Sequence, residues 1–485
     1  MWSLLAALAS AGPAPCGTLA LLPSARELQR IPRSPALPPG ELAQRDAYGV
    51  PNVQTSAHFA VRWGNGGAVA SAVVDALLAS LEDAWTVQVV EMAHPPPVGT
   101  DAYLFNVYVG DTGDGAPPGY GTGGYYWVDV DGAPMIVVSN ATLAFADSAD
   151  ATAIHEFYHA IQGSLDRFPY DGLGAWFWEA TAEWAAIETH PTNPDTGSLL
   201  FGYLLLPDLA VNDFDYPDSG ALEEYHQYGA FLLPHYLTTR VVGFELVRDA
   251  WVVPGPNEDP LEVLREGLAR DGIDFDAVWL DHLAANATYD YPQGEQWQAG
   301  VEAAAQWFGG GRPTTATTVG DGYHEPIRVE GPGRAPGRYG YNLIELEAPI
   351  PGDLEVWIAG DAQGDAGSPA RFVAAIIQVN GGLPTVTPVP FDGATGQLTL
   401  PVAGADDLLL VVGAFTPDTA HWQEEAFPYT FTMSIGPPPP EGGRGVTMGN
   451  IRAEPPVPQV CAPVRPGALW LAAPALLVAR RRRAR

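Results

Sequence analysis

The 485-residue chain contains no lysine, so all 23 of its basic side chains are arginines. Set against 57 acidic residues, they leave a formal net charge of −34. A chain so poor in cations lacks the basic patches that phosphate recognition requires, which argues against a nucleic-acid partner. The same charge suits a soluble exported protein that resists aggregation. Cysteine is almost missing too: there are two, Cys16 and Cys461, near opposite ends. Neither is expected in a folded core, and no disulfide scaffold is implied. Apolar runs are short. Leu4–Ala9, followed by small residues up to Ala14, reads as the core of an export signal over residues 1–20, although no arginine precedes it. Cys16 then invites two readings, a lipid-attachment point, for which Pro15 is a poor fit, or a cysteine beside a cleavage site with no role. The second run, Gly467–Ala479, is shorter than the about 20 residues of a full membrane span. It is followed by Arg480–Arg483, which would hold it at a membrane with the arginines on the cytoplasmic side.

Histidine is also scarce, at ten residues, yet two fall four apart in Ala153-Ile154-His155-Glu156-Phe157-Tyr158-His159-Ala160-Ile161-Gln162. On a helix, positions i and i+4 share a face, so His155 and His159 would grip one metal ion through their imidazoles. Glu156 would sit beside that ion, poorly placed as a ligand from the same turn but able to hold and deprotonate a water. The plainer reading is an amphipathic helix whose histidines merely pack or face solvent. A second motif weighs against it: Trp176-Phe177-Trp178-Glu179-Ala180-Thr181-Ala182-Glu183-Trp184. Glu179 lies twenty positions after His159, across a loop from Gly163 to Gly174 in which one helix can end and another begin. A catalytic zinc commonly takes three protein ligands and keeps a fourth position open. Glu179 is the expected third ligand. Glu183, one turn further on, is expected to accept the free N–H of a ligand histidine and fix its orientation. The reverse assignment, with Glu183 as ligand and Glu179 as support, stays open.

The HExxH of residues 155–159 followed by Glu179-x-x-x-Glu183 resembles the gluzincin, or thermolysin-like, zinc metallopeptidases. The longer metzincin motif would want Gly at 162 and His at 165, where this chain has Gln162 and Leu165. The wording Ala-x-His-Glu-Phe-Tyr-His-Ala-x-Gln with Trp-x-Glu-x-x-Ala-Glu-Trp is more similar still to a family of secreted metalloproteases from myxobacteria carrying a C-terminal sorting tail. The resemblance covers about residues 45–300 and implies Zn2+ as the metal and a protein or peptide substrate. It also implies an oxyanion donor from a helix downstream of the ligand Glu. Tyr228, Tyr225 and His226 are the candidates, in that order, against the alternative that these aromatics only pack helices together. In such enzymes an edge strand near the metal pairs with the substrate backbone, and the strand at 135–138, just before the motif helix, holds that place here. The Cys461–apolar–Arg tail resembles myxobacterial sorting tails. That implies a membrane contact through the tail before processing and sorting machinery acting near Cys461; a plain C-terminal anchor is the alternative.

Alternation marks strands at 58–63 and 104–109, and helical spacing marks 68–92. Tyr125–Val130 and Met135–Val138 flank Asp131-Gly132, a favoured hairpin turn; a calcium loop using Asp129 and Asp131 would need further spaced oxygens. Asp147 or Ser148 would cap the motif helix and Gly163 would end it. Helices follow at 262–270 and 275–285. From about residue 315, short strands with Gly, Pro and Asp turns signal a sandwich. The expected organisation is an export signal (1–20), a linker or short pro-segment (21–50), a zinc metallopeptidase domain (51–300), an all-β sandwich accessory domain (315–436), a Pro/Gly-rich spacer (437–465) and an apolar/Arg tail (466–485). The fold class is thus an α+β metallopeptidase domain, a small mixed β-sheet plus a helical lobe carrying HExxH, followed by an all-β sandwich. The expected activity is that of an exported, extracellular or cell-surface zinc endopeptidase with Glu156 as general base, or within enzymes an amidase on cell-wall peptides. The alternative is a non-catalytic surface adhesion protein with a structural or vestigial metal site.

Overall fold

A computed structural model describes residue 16 and residues 42–435, apart from 166, 171, 216–220, 256–258, 309–321, 324–325, 332–333, 346–351, 403–406 and 423–424. The expected export signal other than Cys16, most of the expected 21–50 linker, and the expected spacer and tail with Cys461 lie outside the described residues.

The first unit is a five-stranded mixed sheet of β1 (Asn52–Thr55), β2 (Phe59–Trp63), β3 (Phe105–Gly110), β4 (Gly124–Val128) and β5 (Pro134–Ser139), in the order β1-β2-β3-β5-β4. The inner pairs β2–β3 and β3–β5 are parallel, and the outer pairs are antiparallel. Parallel neighbours need a crossover. Helix α1 (Ser71–Ala84) supplies it between β2 and β3, burying Val74, Leu77, Leu78 and Leu81 at helical spacing and running on into wider π turns over Trp85–Glu91. The β4–β5 hairpin forms as the Asp131-Gly132 turn predicts, with Val128 opposite Pro134. The Asp129 carboxylate accepts the backbone N–H groups of Asp131 and Ala133, and Arg45 pairs with both Asp129 and Asp131. Those oxygens are thus spent on turn geometry and an arginine, as a hairpin requires. One expectation is corrected: residues 135–138 belong to β5, which lies between β3 and β4, so the edge strand is β4.

Helix α2 (Ala146–Leu165) carries the motif and packs against β4, β5 and α1. It is longer than expected at both ends. Asp147 and Ser148 lie inside its first turn, where Ser148 Oγ bonds the Asp195 carboxylate instead of capping. Gly163 is interior and is there for space: a Cβ on it would lie 2.3 Å from the Tyr126 hydroxyl. Helix α3 (Ala175–Thr189) packs on α2 and is buried along nearly its whole length. Beyond it come α4 (Phe201–Leu204), α5 (His226–Gly229), α6 (Leu232–Tyr236), α7 (Glu245–Val252), α8 (Pro260–Arg270), α9 (Phe275–Thr288) and α10 (Gly294–Trp307). Asp259 and Asp274 cap α8 and α9 by accepting the N–H groups of Leu261 and Asp276, and Pro260 opens α8, where its missing N–H costs nothing.

The C-terminal part is β-rich. It contains β6 (Gly322–Tyr323), β7 (Ile327–Val329), β8 (Tyr341–Glu345), β9 (Gly352–Gly360), β10 (Arg371–Asn380), β11 (Leu383–Pro388), β12 (Phe391–Asp392), β13 (Thr395–Val402), β14 (Asp407–Phe415) and β15 (Tyr429–Ile435). They form two antiparallel sheets, β11-β10-β14-β8 and β12-β13-β9-β15-β6, with β7 also on β15. The sheets share an apolar core that includes Ile376, Leu410 and Val412 from one and Val356, Ile358 and Phe431 from the other. The alternate residues Ala375, Ile377, Leu409 and Val411 turn the opposite way and join the large core of the helical part. Gly413 lies so near α9 that a Cβ on it would meet Leu283 at 2.6 Å. The molecule is therefore mixed α and β, a helical region followed by a β-rich part, with the central strands β10 and β14 of the four-stranded sheet buried on both faces. Among the described residues no helix is long and apolar enough to cross a membrane.

Candidate metal centre

Two buried helices bring the motif residues together. His155 and His159 lie on one face of α2, Glu179 and Glu183 on one face of α3, and all four are at least nine-tenths buried. Inside an apolar shell every such group needs a partner, since an unpaired one is costly. The outer nitrogens are tied first. His155 Nδ1 lies 3.1 Å from Glu183 Oε2, whose other oxygen accepts the Gly197 N–H at 2.7 Å. His159 Nδ1 lies 2.5 Å from Gln162 Oε1. Gln162 in turn donates to the Trp178 carbonyl and to Thr181 Oγ1, both at 2.9 Å. With both Nδ1–H groups donated outward, the lone pairs of both Nε2 atoms point inward.

They meet Glu179 there. Its Oε2 is 3.0 Å from His155 Nε2 and 3.4 Å from His159 Nε2. A fourth atom joins them, Cys16 Sγ, 3.3 Å from His159 Nε2. One donor atom from each of Cys16, His155, His159 and Glu179 lies within 4.8 Å of every other. Ligands about 2.0–2.3 Å from a tetrahedral zinc are about 3.3–3.8 Å apart, so the set could hold such an ion once its wider pairs draw together. The charges agree. Burial alone would lower the His155 pKa, but Glu179 and Glu183 outweigh it and push the imidazole up to about 10. Burial would raise Glu179, but His159 and His155 pull it down to about 2. A dication bound there would take the place of a proton, because an imidazole must be neutral to act as a ligand.

The remaining predicted residues divide. Glu156 is fully buried and packs behind edge strand β4, where a Cβ on Gly124 would come within 3.1 Å of its Cγ. Tyr228, on α5, reaches the centre: its ring is 6.1 Å from that of His155, and its buried hydroxyl has no hydrogen-bond partner among the described residues. Burial, then Glu179, Cys16, Glu156 and Tyr120, drive its pKa far upward, so it stays a donor. Tyr225 and His226 point elsewhere. The ring of Tyr225 packs on Phe201 and Phe308, while that of His226 faces Tyr203, with burial holding its pKa down near 4.

Sequence reasoning missed three participants. Gln162 was readable in principle, one turn after His159 on the same helix. Tyr120, in the loop before β4, has its pKa raised by burial and then by Cys16, Glu224 and Glu179, and no local pattern marks it. Cys16 was expected outside any core, yet it is 2 % exposed; no spacing rule relates a residue to ligands about 140 positions away.

A family profile described as "Family of unknown function (DUF6055)" matches residues 39–370. No curated protein matches the chain. Among solved structures, the pre-peptidase C-terminal domain of a collagenase from Bacillus anthracis is similar at 11 % identity and a TM-score of 0.17, over 26 % of this chain and 98 % of that one. A family GH115 4-O-methyl-α-glucuronidase with specificity for decorated arabinogalactans is similar at 13 % identity and a TM-score of 0.15, over 62 % of this chain and 46 % of its own. Superpositions that poor carry no argument about the site.

Proposed function

The chain belongs to the DUF6055 family of unknown function, and we propose from its buried centre that it is a zinc-dependent hydrolase of peptide bonds. The observation that carries the reading is the division of labour among three neighbouring carboxylates. Glu179 converges with two imidazole Nε2 atoms, Glu183 orients one of those imidazoles from outside, and Glu156 is not among the converging donors. A purely structural site has no use for the third. His155, His159 and Glu179 would hold the ion, and zinc bound there would supply Lewis acidity toward a carbonyl and a water of lowered pKa. Glu156 takes the proton of the attacking water and delivers it to the leaving amine. The Tyr228 hydroxyl donates to the oxyanion as charge develops on the carbonyl oxygen. Edge strand β4, beside Glu156, would pair with the backbone of an extended peptide. Among metallopeptidases the ligand order and spacing favour a gluzincin-like enzyme. The strongly acidic chain and its apolar N-terminal run support export to the cell surface.

The test is Glu156→Gln beside the wild type, both over residues 45–436 and so without Cys16, with metal content and casein-type proteolysis measured on both. One zinc per chain in each, with hydrolysis only in the wild type, is the expected result; retained hydrolysis in the variant would sink the mechanism. One observation favours a second reading, in which a non-catalytic surface protein uses a structural metal: Cys16 makes the donor set four, and structural zinc sites are closed by four protein ligands.

A further inference from the structure

Cys16 does more than complete a coordination count. Its thiol sits 3.3 Å from His159 Nε2, the separation expected of two ligands on one tetrahedral ion. Its backbone forms a parallel bridge with Gly124 at the start of β4, the edge strand along which a substrate would lie. Its side chain is buried in contact with Tyr228. One residue from the N-terminal stretch therefore occupies three places at once: the fourth metal position, where the attacking water belongs, the edge of the sheet, and the space before the oxyanion donor. A structural ligand would need only the first.

We propose that Cys16 is a built-in inhibitor, its thiolate the fourth ligand of the metal and its backbone a mimic of substrate, so that the chain is latent while Cys16 remains attached. The inference rests on the zinc hydrolase reading. On release the thiolate leaves the metal and takes up a proton while a water enters its place, with no change in oxidation state. Hydrolysis of any one peptide bond between Cys16 and β1, consuming one water, makes that exchange permanent, because the thiol then competes as a free peptide instead of a tethered group.

The full chain tests this in a Cys461→Ser background, where Cys16 is the sole thiol. With Co2+ in place of zinc, a near-ultraviolet thiolate-to-metal charge-transfer band is expected and should vanish in Cys16→Ala. Cys16 should react with a chromogenic disulfide only after a chelator is added. Peptide hydrolysis by zinc-loaded Cys16→Ala should exceed that of its parent by at least about tenfold, since a tethered ligand competes at millimolar effective concentration. A metal-loaded parent with no such band and a freely reactive thiol overturns the inference and leaves the His155–His159–Glu179 site standing. A band without any gain of hydrolysis in Cys16→Ala overturns latency and transfers support to the structural reading. Absence of metal from both proteins refutes the hydrolase proposal and the inference together.

Discussion

Replacing Glu183 by glutamine turns one acceptor oxygen into a donor at a place where two are in use. In the native protein Oε2 takes the His155 Nδ1–H at 3.1 Å and Oε1 takes the Gly197 N–H at 2.7 Å. The amide of glutamine has one oxygen. However it is turned, its NH2 confronts one of those N–H groups, and a buried donor is left without an acceptor at a cost of about 1–3 kcal/mol. Where His155 loses its partner, the imidazole is no longer held with Nε2 toward the ion. Losing an outer partner of this kind typically costs about 10–100-fold in metal affinity, or about 1.4–2.7 kcal/mol. Glu179→Ala removes a donor whose oxygen lies 3.0 and 3.4 Å from the two Nε2 atoms and must cost more. Competition for zinc against a chromophoric chelator measures both variants, and thermal melts of the metal-free proteins separate loss of affinity from loss of fold. Should Glu183→Gln weaken zinc as much as Glu179→Ala does, the assignment is wrong and Glu183 is the ligand.

Two further substitutions probe what surrounds the ion. Tyr228→Phe deletes a hydroxyl that nothing else in the described structure engages, so zinc binding and melting temperature should hold while kcat falls by about 10²–10³; an unchanged kcat would return Tyr228 to a packing role. Gly163→Ala would ordinarily help a helix by up to about 1 kcal/mol. Here the added methyl meets the Tyr126 ring, so a net loss of about 1–3 kcal/mol is expected in denaturant titration, and a gain would mean the ring moves freely.

The motif helix and its partner were legible because their chemistry is local. His155 and His159 share a face by helical period alone, and Glu179 and Glu183 repeat that relation one helix later. The Asp131-Gly132 hairpin was legible because two residues fix a turn. The edge strand was not. A strand's place in a sheet depends on pairings with distant segments, and the insertion of β5 between β3 and β4 leaves no mark in the sequence of either. The downstream aromatics show the same limit. Tyr225, His226 and Tyr228 lie within four positions, yet successive residues on helical turns point about 100° apart, and only the packing of α5 against α3 decides that Tyr228 faces His155. Cys16 marks the far end of that scale. Its neighbours in sequence read as an export signal, and its role emerges only from residues more than a hundred positions away.

The β-rich part was read as an appended module, and the two-sided burial of β10 and β14 changes what that word can mean. Ile377, Leu409 and Val411 face the helical core, Arg338 reaches across to Asp259, and Tyr339 to Glu262. The family match ends at residue 370, just before β10 and β14 supply that shared face. Such a sheet cannot be traded between proteins as a detachable unit, because whatever replaced it would have to reproduce the surface on which α9 rests. Substitutions on its inward face are therefore constrained by the stability of the helical lobe as much as by any contact the sandwich makes with the outside.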